Sequence, residues 1–357
     1  MPRKPADMEA IAQRLGISKT TVHYALRNTG RVSDAMRQRV RDVAAELGYR
    51  PNLVASSLRS QRSATLGVVV VSFTSSFHAH VLEGIEGVAQ EEKHGILLAC
   101  SSGRPDKERA QVELFLEKGA DGLIIAAADP DENREYYRRL LDEGTRLVFV
   151  DRHMPGLNVD FVSADNLLGG HLATNHLLEM GRQRIALLTT NSRDRRSTTV
   201  QARHSGCLRA LQERGLELSV TLGPNVEDKT PEEEFGFDAV REHLTTRGPG
   251  IDAIFAVHDG LAYGAIEAIA ERGLRVPEDI AVVGFDDQDP SAYFHPPLTT
   301  VRQPMRQIGE EAARLLFRRL KESTAPLPRQ RVSLEPTLVV RQSSRVADPK
   351  HPKRRRI

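Results

Sequence analysis

Tryptophan is absent from the 357 residues, aromatic side chains make up 5% of them, and cysteine occurs only at positions 100 and 207. The two thiols lie far apart and lack metal-type spacing, so both are expected to be ordinary reduced cysteines, with neither a disulfide framework nor a bound metal. No apolar run approaches the ~18 residues of a membrane span, and no signal-like apolar region opens the chain, so a soluble cytoplasmic protein without membrane contact is expected. Nor does the sequence offer a nucleophile-and-base pair or a glycine loop that would cradle a phosphate, which argues against an enzyme and against a cofactor. Low-complexity sequence is missing until the tail "ADPKHPKRRRI", whose two prolines and lack of a heptad exclude a zipper helix.

What remains begins with helices. In "GISKTTVHYALRN", Val22, Ala25 and Leu26 share one face of a 3.6-residue period, while Lys19, Thr20, His23 and Arg27 occupy the other. Ser18 is a suitable N-cap, and Gly16 permits a sharp turn before it. Asp7 can cap an earlier helix with Met8, Ile11, Ala12 and Leu15 on one side. Ser33 can cap a later one with Met36, Val40, Val43, Ala44 and Leu47 inward. Three short helices with a glycine turn between the first two form a helix-turn-helix unit. Residues 1–62 hold twelve Lys and Arg against five Asp and Glu, a net of +7, whereas the whole chain carries +2. A basic head on an acidic body is the footprint of a phosphate-backbone binder.

Pro51 then interrupts the third helix, and "YRPNLVASSLRS" offers about two turns of further helix, marginal in water unless something packs against it. The segments "IAQRLGISKTTVHYALRN", "VSDAMRQRVRDVAAELGYRPN" and "ASSL" resemble the lactose-repressor (LacI/GalR) family of transcription regulators, and the resemblance runs from about residue 6 to 342. It implies a hinge helix that orders on DNA and wedges a leucine, here Leu58, into the minor groove; such a wedge permits a bend that brings more protein onto DNA. It further implies that Lys19 and Thr20 enter the major groove with His23 or Tyr24 one turn later, and that Arg27, Ser33, Asn52 and Ala55 complete the DNA-binding set.

From residue 64 the pattern changes to β-branched runs, "TLGVVVV", "GILLAC", "GLIIAA", "RLVFVD", "RIALLT", "AIFAVHD" and "IAVVGFDD", separated by amphipathic stretches. This is βαβ order and implies parallel sheets covered by helices on both faces. The expected fold is thus a small all-α headpiece (1–49), a hinge (50–63), and an α/β core (64–342). The resemblance implies that this core resembles periplasmic binding proteins, with two Rossmann-like lobes joined by three crossing strands, and a basic disordered tail is expected at 343–357. On that template the first lobe covers about 64–160 and 291–321, the second about 161–290 and 322–342.

Ligands of open parallel sheets sit beyond the carboxyl ends of the strands, which directs attention to Asp151, His258-Asp259 and Asp286-Asp287. Asp259 stands directly before a helical stretch and is expected to cap it. The resemblance assigns Asp286 to effector hydroxyls and Arg203 to the group opposite, and the effector-binding set is Phe77, Asp151, Thr199, Arg203, His258 and Asp286. His258 replaces the family's usual Asn, and Pro231 replaces a frequent aromatic platform. Arg193, Arg195 and Arg196 suggest either a solvated loop or contact with an anionic effector. "FHAH" at 77–80 puts its two histidines at i, i+2, on different helix faces, so no metal is expected there. The resulting expectation is an effector-responsive repressor that binds a palindromic operator in double-stranded DNA as a homodimer, nucleoid-associated, with a sugar or sugar derivative in the cleft. The alternatives are a sugar receptor without gene control, or a regulator responding to a purine corepressor.

Overall fold

A computed structural model describes residues 7–49, 63–190, 196–223, 231–248, 250–321 and 328–345. The chain divides after Ser63 into two compact units.

In the first unit α1 (Met8–Leu15), α2 (Lys19–Arg27) and α3 (Asp34–Glu46) pack around Ile11, Ala12, Val22, Ala25, Val40 and Ala44. Each start is capped by the residue the sequence offers. Asp7 accepts from the Ala10 amide at 3.0 Å, Ser18 from Thr21 at 3.1 Å and Ser33 from Met36 at 3.4 Å, so each satisfies an otherwise orphaned helix N–H. Gly16 ends α1 in the left-handed conformation, φ 65°, as the tight turn requires. Leu47, expected inward, is instead the C-cap of α3 and is exposed, because the helix has ended before its side chain can reach the core.

The second unit holds two six-stranded sheets. The first has the order β11-β5-β4-β3-β1-β2, built from β1 (Thr65–Val70), β2 (Gly95–Cys100), β3 (Gly122–Ile125), β4 (Leu147–Val150), β5 (Asp160–Ala164) and β11 (Arg331–Leu334), all parallel. The second has the order β12-β10-β9-β8-β6-β7, from β6 (Ile185–Leu188), β7 (Val220–Leu222), β8 (Ala253–Ala256), β9 (Ala281–Asp286), β10 (Thr299–Arg302) and β12 (Thr337–Val339). Only the β10–β12 pair is antiparallel. Central strands such as β3, β4 and β8 are buried on both faces, hence their near-continuous aliphatic runs.

The lobe boundaries differ from the expected ones at all three crossings. β5 pairs with β4, so the chain leaves the first lobe after Ala164 and not at 160. β10 pairs with β9, which keeps the chain in the second lobe up to Arg302, well past 290. β11 returns to the first sheet beside β5 before β12 joins the second. The cause is pairing geometry. Each crossing strand extends a ladder of the lobe it is leaving, and the change of lobe happens in the short polar links that follow. The tail does not begin at 343 as expected, because Ser343 and Ser344 are buried, donating to the Val282 carbonyl and the Thr299 hydroxyl at 2.6 and 2.7 Å.

Among the described residues, helices pack in backbone contact at three places. Between Ser76–Glu91 and Met305–Lys321, a Cβ added at Gly84 would lie 2.1 Å from the Arg306 carbonyl, and one at Gly309 would lie 1.9 Å from that of Val81. The pair Asn166–Glu179 and Thr198–Glu213 repeats this with Gly170 against Arg203 O (2.1 Å) and Gly206 against Leu167 O (2.1 Å). Glu232–Arg247 and Asp259–Glu271 do so with Gly236 and Gly264, at 2.3 and 1.9 Å from the Leu261 and Glu233 carbonyls.

Candidate functional site

The headpiece presents one polar face. Lys19, Thr20 and Tyr24 are exposed on α2, His23 is half-buried beside them, and Ser33 is exposed at the start of α3 with its hydroxyl oxygen already accepting the cap hydrogen bond. Lys19 Nζ lies 3.7 Å from Glu9 Oε2, an exposed pair that a phosphate can displace. Arg27 lies in α2. Asn52, Ala55 and Leu58, with Arg193, Arg195 and the tail from 346, lie outside the described residues.

In the core, the carboxyl ends of both sheets face a cavity of about 470 Å³. Phe77, Asp151, Thr199, Arg203, His258 and Asp286 all line it. Asp151 follows β4, and Asp286 closes β9; both have positive φ, 59° and 120°, and Asp287 follows at 57°. Non-glycine residues hold such conformations only where surrounding contacts over-determine them.

Arg203 is the centre of the site. It is 1% exposed, donates from Nε to Asn166 Oδ1 at 2.9 Å and from Nη1 to the Val257 carbonyl at 2.7 Å, and lies 3.7 Å over the Phe285 ring. Its Nη1 is 3.5 Å from Asp286 Oδ1, which also accepts from Gln303 Nε2 at 2.7 Å. The His258 Nδ1 stands 3.3 Å from Asp286 Oδ2. Burial alone would raise the Asp286 carboxyl, but the Arg203 charge and the His258 contact hold it below the usual carboxylate range. Burial likewise pulls His258 down, and Glu232 and Asp286 together reverse this and hold it above its ordinary value. Asp151 is raised by burial, with Arg152 and Arg203 opposing. A buried guanidinium, imidazole and carboxylate so arranged offer fixed donors and acceptors to hydroxyl or amide groups.

Sequence reasoning missed three contributors. Gln303 lies on a crossing link; it is 4% exposed, and its Oε1 has no hydrogen-bond partner among the described residues. His78, weighed only as a metal ligand, turns into the cleft with both ring nitrogens buried and likewise without a partner there. Burial, with Arg152 adding to it, lowers this imidazole to about 4, so it is neutral at physiological pH. Asn166, which fixes Arg203, follows the Asp at the end of β5, a strand too polar to stand out. Thr199 lines the cavity but shares its hydroxyl with Ser197 at 3.1 Å.

Two expectations need correction. Asp259 does not cap the helix it precedes; it is the first helical residue, His258 is the N-cap position, and the Asp259 carboxylate accepts instead from Gln288, Ser291 and Thr300. Arg196, expected either solvated or facing an anionic effector, is engaged within the protein. It reaches from the second lobe to Asp129 of the first, at 2.8 Å.

Over residues 7–52 the sequence matches the family model described as bacterial regulatory proteins, lacI family, and over 174–344 the one described as periplasmic binding protein-like domain. The Ribose operon repressor of Escherichia coli (strain K12) is 31% identical over 342 residues, which span 95% of this chain and 100% of that protein. The HTH-type transcriptional repressor PurR of Mannheimia succiniciproducens is 30% identical over 339 residues, spanning 95% and 98%. Among solved structures, the lac repressor dimer bound to operator and the anti-inducer ONPF aligns with a TM-score of 0.82 at 26% identity, covering 96% of this chain and 99% of that one. The transcriptional regulator CelR in complex with cellobiose aligns at 0.69 and 31% identity, covering 95% and 99%.

Proposed function

Because the chain belongs to the lacI family of bacterial regulatory proteins, we propose that it binds a palindromic operator as a homodimer and that a neutral, hydroxyl-rich small molecule in the interlobe cleft sets its DNA affinity. It is a DNA-binding repressor with a periplasmic-binding-protein-like effector core, in a family without enzymatic activity. The observation that carries the ligand class is the charge of the lining. Asp151, Glu232, Glu233 and Asp286 outnumber Arg152, Arg203 and His258, whose imidazole is held above its ordinary value, and the described loop arginine, Arg196, is held by Asp129. A phosphate or carboxylate entering such a cleft meets net repulsion, whereas hydroxyls pair with Asp286, Arg203 and Gln303 without adding charge.

In the headpiece, Lys19 and Thr20 at the exposed start of α2 supply base contacts, with His23 or Tyr24 beside them. A ligand that prefers one arrangement of the lobes then shifts DNA affinity by its differential affinity for the two arrangements. Selecting fragments from random DNA with the full-length protein, then repeating the binding with a panel of neutral sugars, sugar phosphates and sugar acids, tests both halves. Retention of a palindromic site whose affinity responds to a neutral member is the expected result. A response confined to anions refutes the ligand class, and failure to enrich any site refutes the DNA reading.

A further inference from the structure

We propose that Asp259 is a positioning residue for the effector cleft: it lies beneath the cleft floor, outside the lining, and sets the backbone turn that aims Asp286 at Arg203 and His258. This rests on the cleft reading above and adds to it a residue whose place in the helix conceals its role.

Asp259 is fully buried. Its helix has no side-chain cap, so the carboxylate is available to three donors from a different part of the chain. Oδ2 accepts from the Gln288 amide at 2.8 Å and the Ser291 hydroxyl at 2.7 Å, and Oδ1 accepts from the Thr300 hydroxyl at 2.6 Å. Thr300 Oγ1 accepts in turn from the Asp287 amide at 3.2 Å, and Tyr263 OH lies 2.7 Å from Ser291 Oγ. The two amides that follow Asp286 are therefore both tied to one carboxylate, one directly and one through Thr300. They are the amides of the segment that turns through positive φ at Asp286 and Asp287. Such a turn relaxes unless contacts over-determine it. β9 makes room for the brace, since a Cβ at Gly284 would lie 2.2 Å from Asp259 Oδ1. On the other side of the turn, Asp286 meets Arg203, His258 and Gln303, and Gln288 joins the cavity wall.

The test needs no effector. In the full-length protein, the amides of Asp287 and Gln288 are followed by hydrogen exchange, and the His258 imidazole is titrated by NMR with labelled histidine, its signal identified from His258→Gln. Because Asp286 helps hold that imidazole up, its titration reports where the carboxylate sits. In Asp259→Ala and in the milder Thr300→Val, exchange at the two amides should rise at least tenfold and the His258 titration should fall towards its value in Asp286→Asn. Asp259→Asn, which can keep two of the three hydrogen bonds, should retain more protection than Asp259→Ala. Thr300→Val removes only a hydroxyl, so it carries the result if Asp259→Ala does not fold. Unchanged exchange, or an unchanged His258 titration with the amides released, overturns the proposal. Failure of the cleft reading is seen separately, as an Asp286→Ala protein whose operator binding still responds to every small molecule that affects the wild type.

Discussion

Replacing Arg203 by Met keeps a flexible apolar side chain over Phe285 and removes the guanidinium that Asp286 faces from 3.5 Å. Breaking a buried ion pair by deleting one partner destabilises by about 3–5 kcal/mol, because the other charge stays buried. Asp286 keeps His258 and the Gln303 amide, which places the expected loss near the lower end, about 3 kcal/mol. At roughly 2 °C per kcal/mol for a core of this size, the melting temperature should fall by about 6 °C. The double variant Arg203→Met with Asp286→Asn removes both charges and should recover part of that loss, so a double-mutant cycle isolates the pair. pH gives a second signature. The Asp286 carboxyl is held below its usual range, so its contribution is present above the carboxylate range and lost as pH falls through the lowered value. His258 is held above 6.5, so its contribution is complete below 6.5 and lost as pH rises through the raised value. The wild-type cluster is thus strongest in mildly acidic solution, and Arg203→Met should flatten the acidic limb, measured by thermal unfolding across pH. A loss under 1 kcal/mol, or a double variant as unstable as the single, refutes the reasoning.

Asp286→Ala should bind operator with wild-type affinity yet lose its response to small molecules, since the headpiece is a separate unit; fluorescence anisotropy with and without the responding metabolite checks this. Lys19→Ala should relax base preference in the half-site by about 1–3 kcal/mol at one position, whereas Leu58→Ala should weaken specific binding and spare salt-dependent binding to random DNA. Arg196→Gln should weaken interlobe closure modestly, because Arg196 is half-exposed; a two- to fivefold loss of effector affinity at low salt that vanishes at about 1 M is expected by calorimetry. Sedimentation should report a dimer with and without residues 346–357, and a tetramer or a monomer contradicts the proposed assembly.

Most of the strands that sequence reasoning found are buried on both faces, where "GLIIAA" and "RLVFVD" leave no other reading; β2 is a half-exposed edge strand whose aliphatic run "GILLAC" still stands out. It passed over β5, β7, β10, β11 and β12, which are three to five residues long and mix Ser, Thr and Arg with aliphatics. β5 and β10 bury polar residues through hydrogen bonds that only the tertiary structure supplies, such as Thr299 with Arg341 and Thr300 with Asp259, whereas β7, β11 and β12 are sheet-edge strands whose polar residues stay exposed. Missing those strands displaced all three crossings. In the cleft, residues at strand ends were legible because their position follows from the sheet, whereas His78 and Gln303 stand in a helix and a link. Asp259 was misread for a related reason. A carboxylate at a helix start resembles a cap until its donors are known.

The six glycines that bring three helix pairs into backbone contact bear on how mutational screens of this protein are interpreted. In a repressor screen, sites that tolerate no substitution are ordinarily assigned to DNA or effector contact. Gly84, Gly170, Gly206, Gly236, Gly264 and Gly309 should score alongside such sites, since any Cβ there meets a carbonyl at 2.3 Å or less. Gly170 and Gly206 will be the most misleading. Gly170 abuts the backbone of Arg203, and Gly206 belongs to the same helix pair, so a methyl group at either would displace the helix that carries the guanidinium and mimic its loss. A screen that also records protein abundance would separate the glycines from exposed contact residues, because the glycine variants should be scarce, whereas variants of an exposed residue such as Lys19 should be plentiful but inactive.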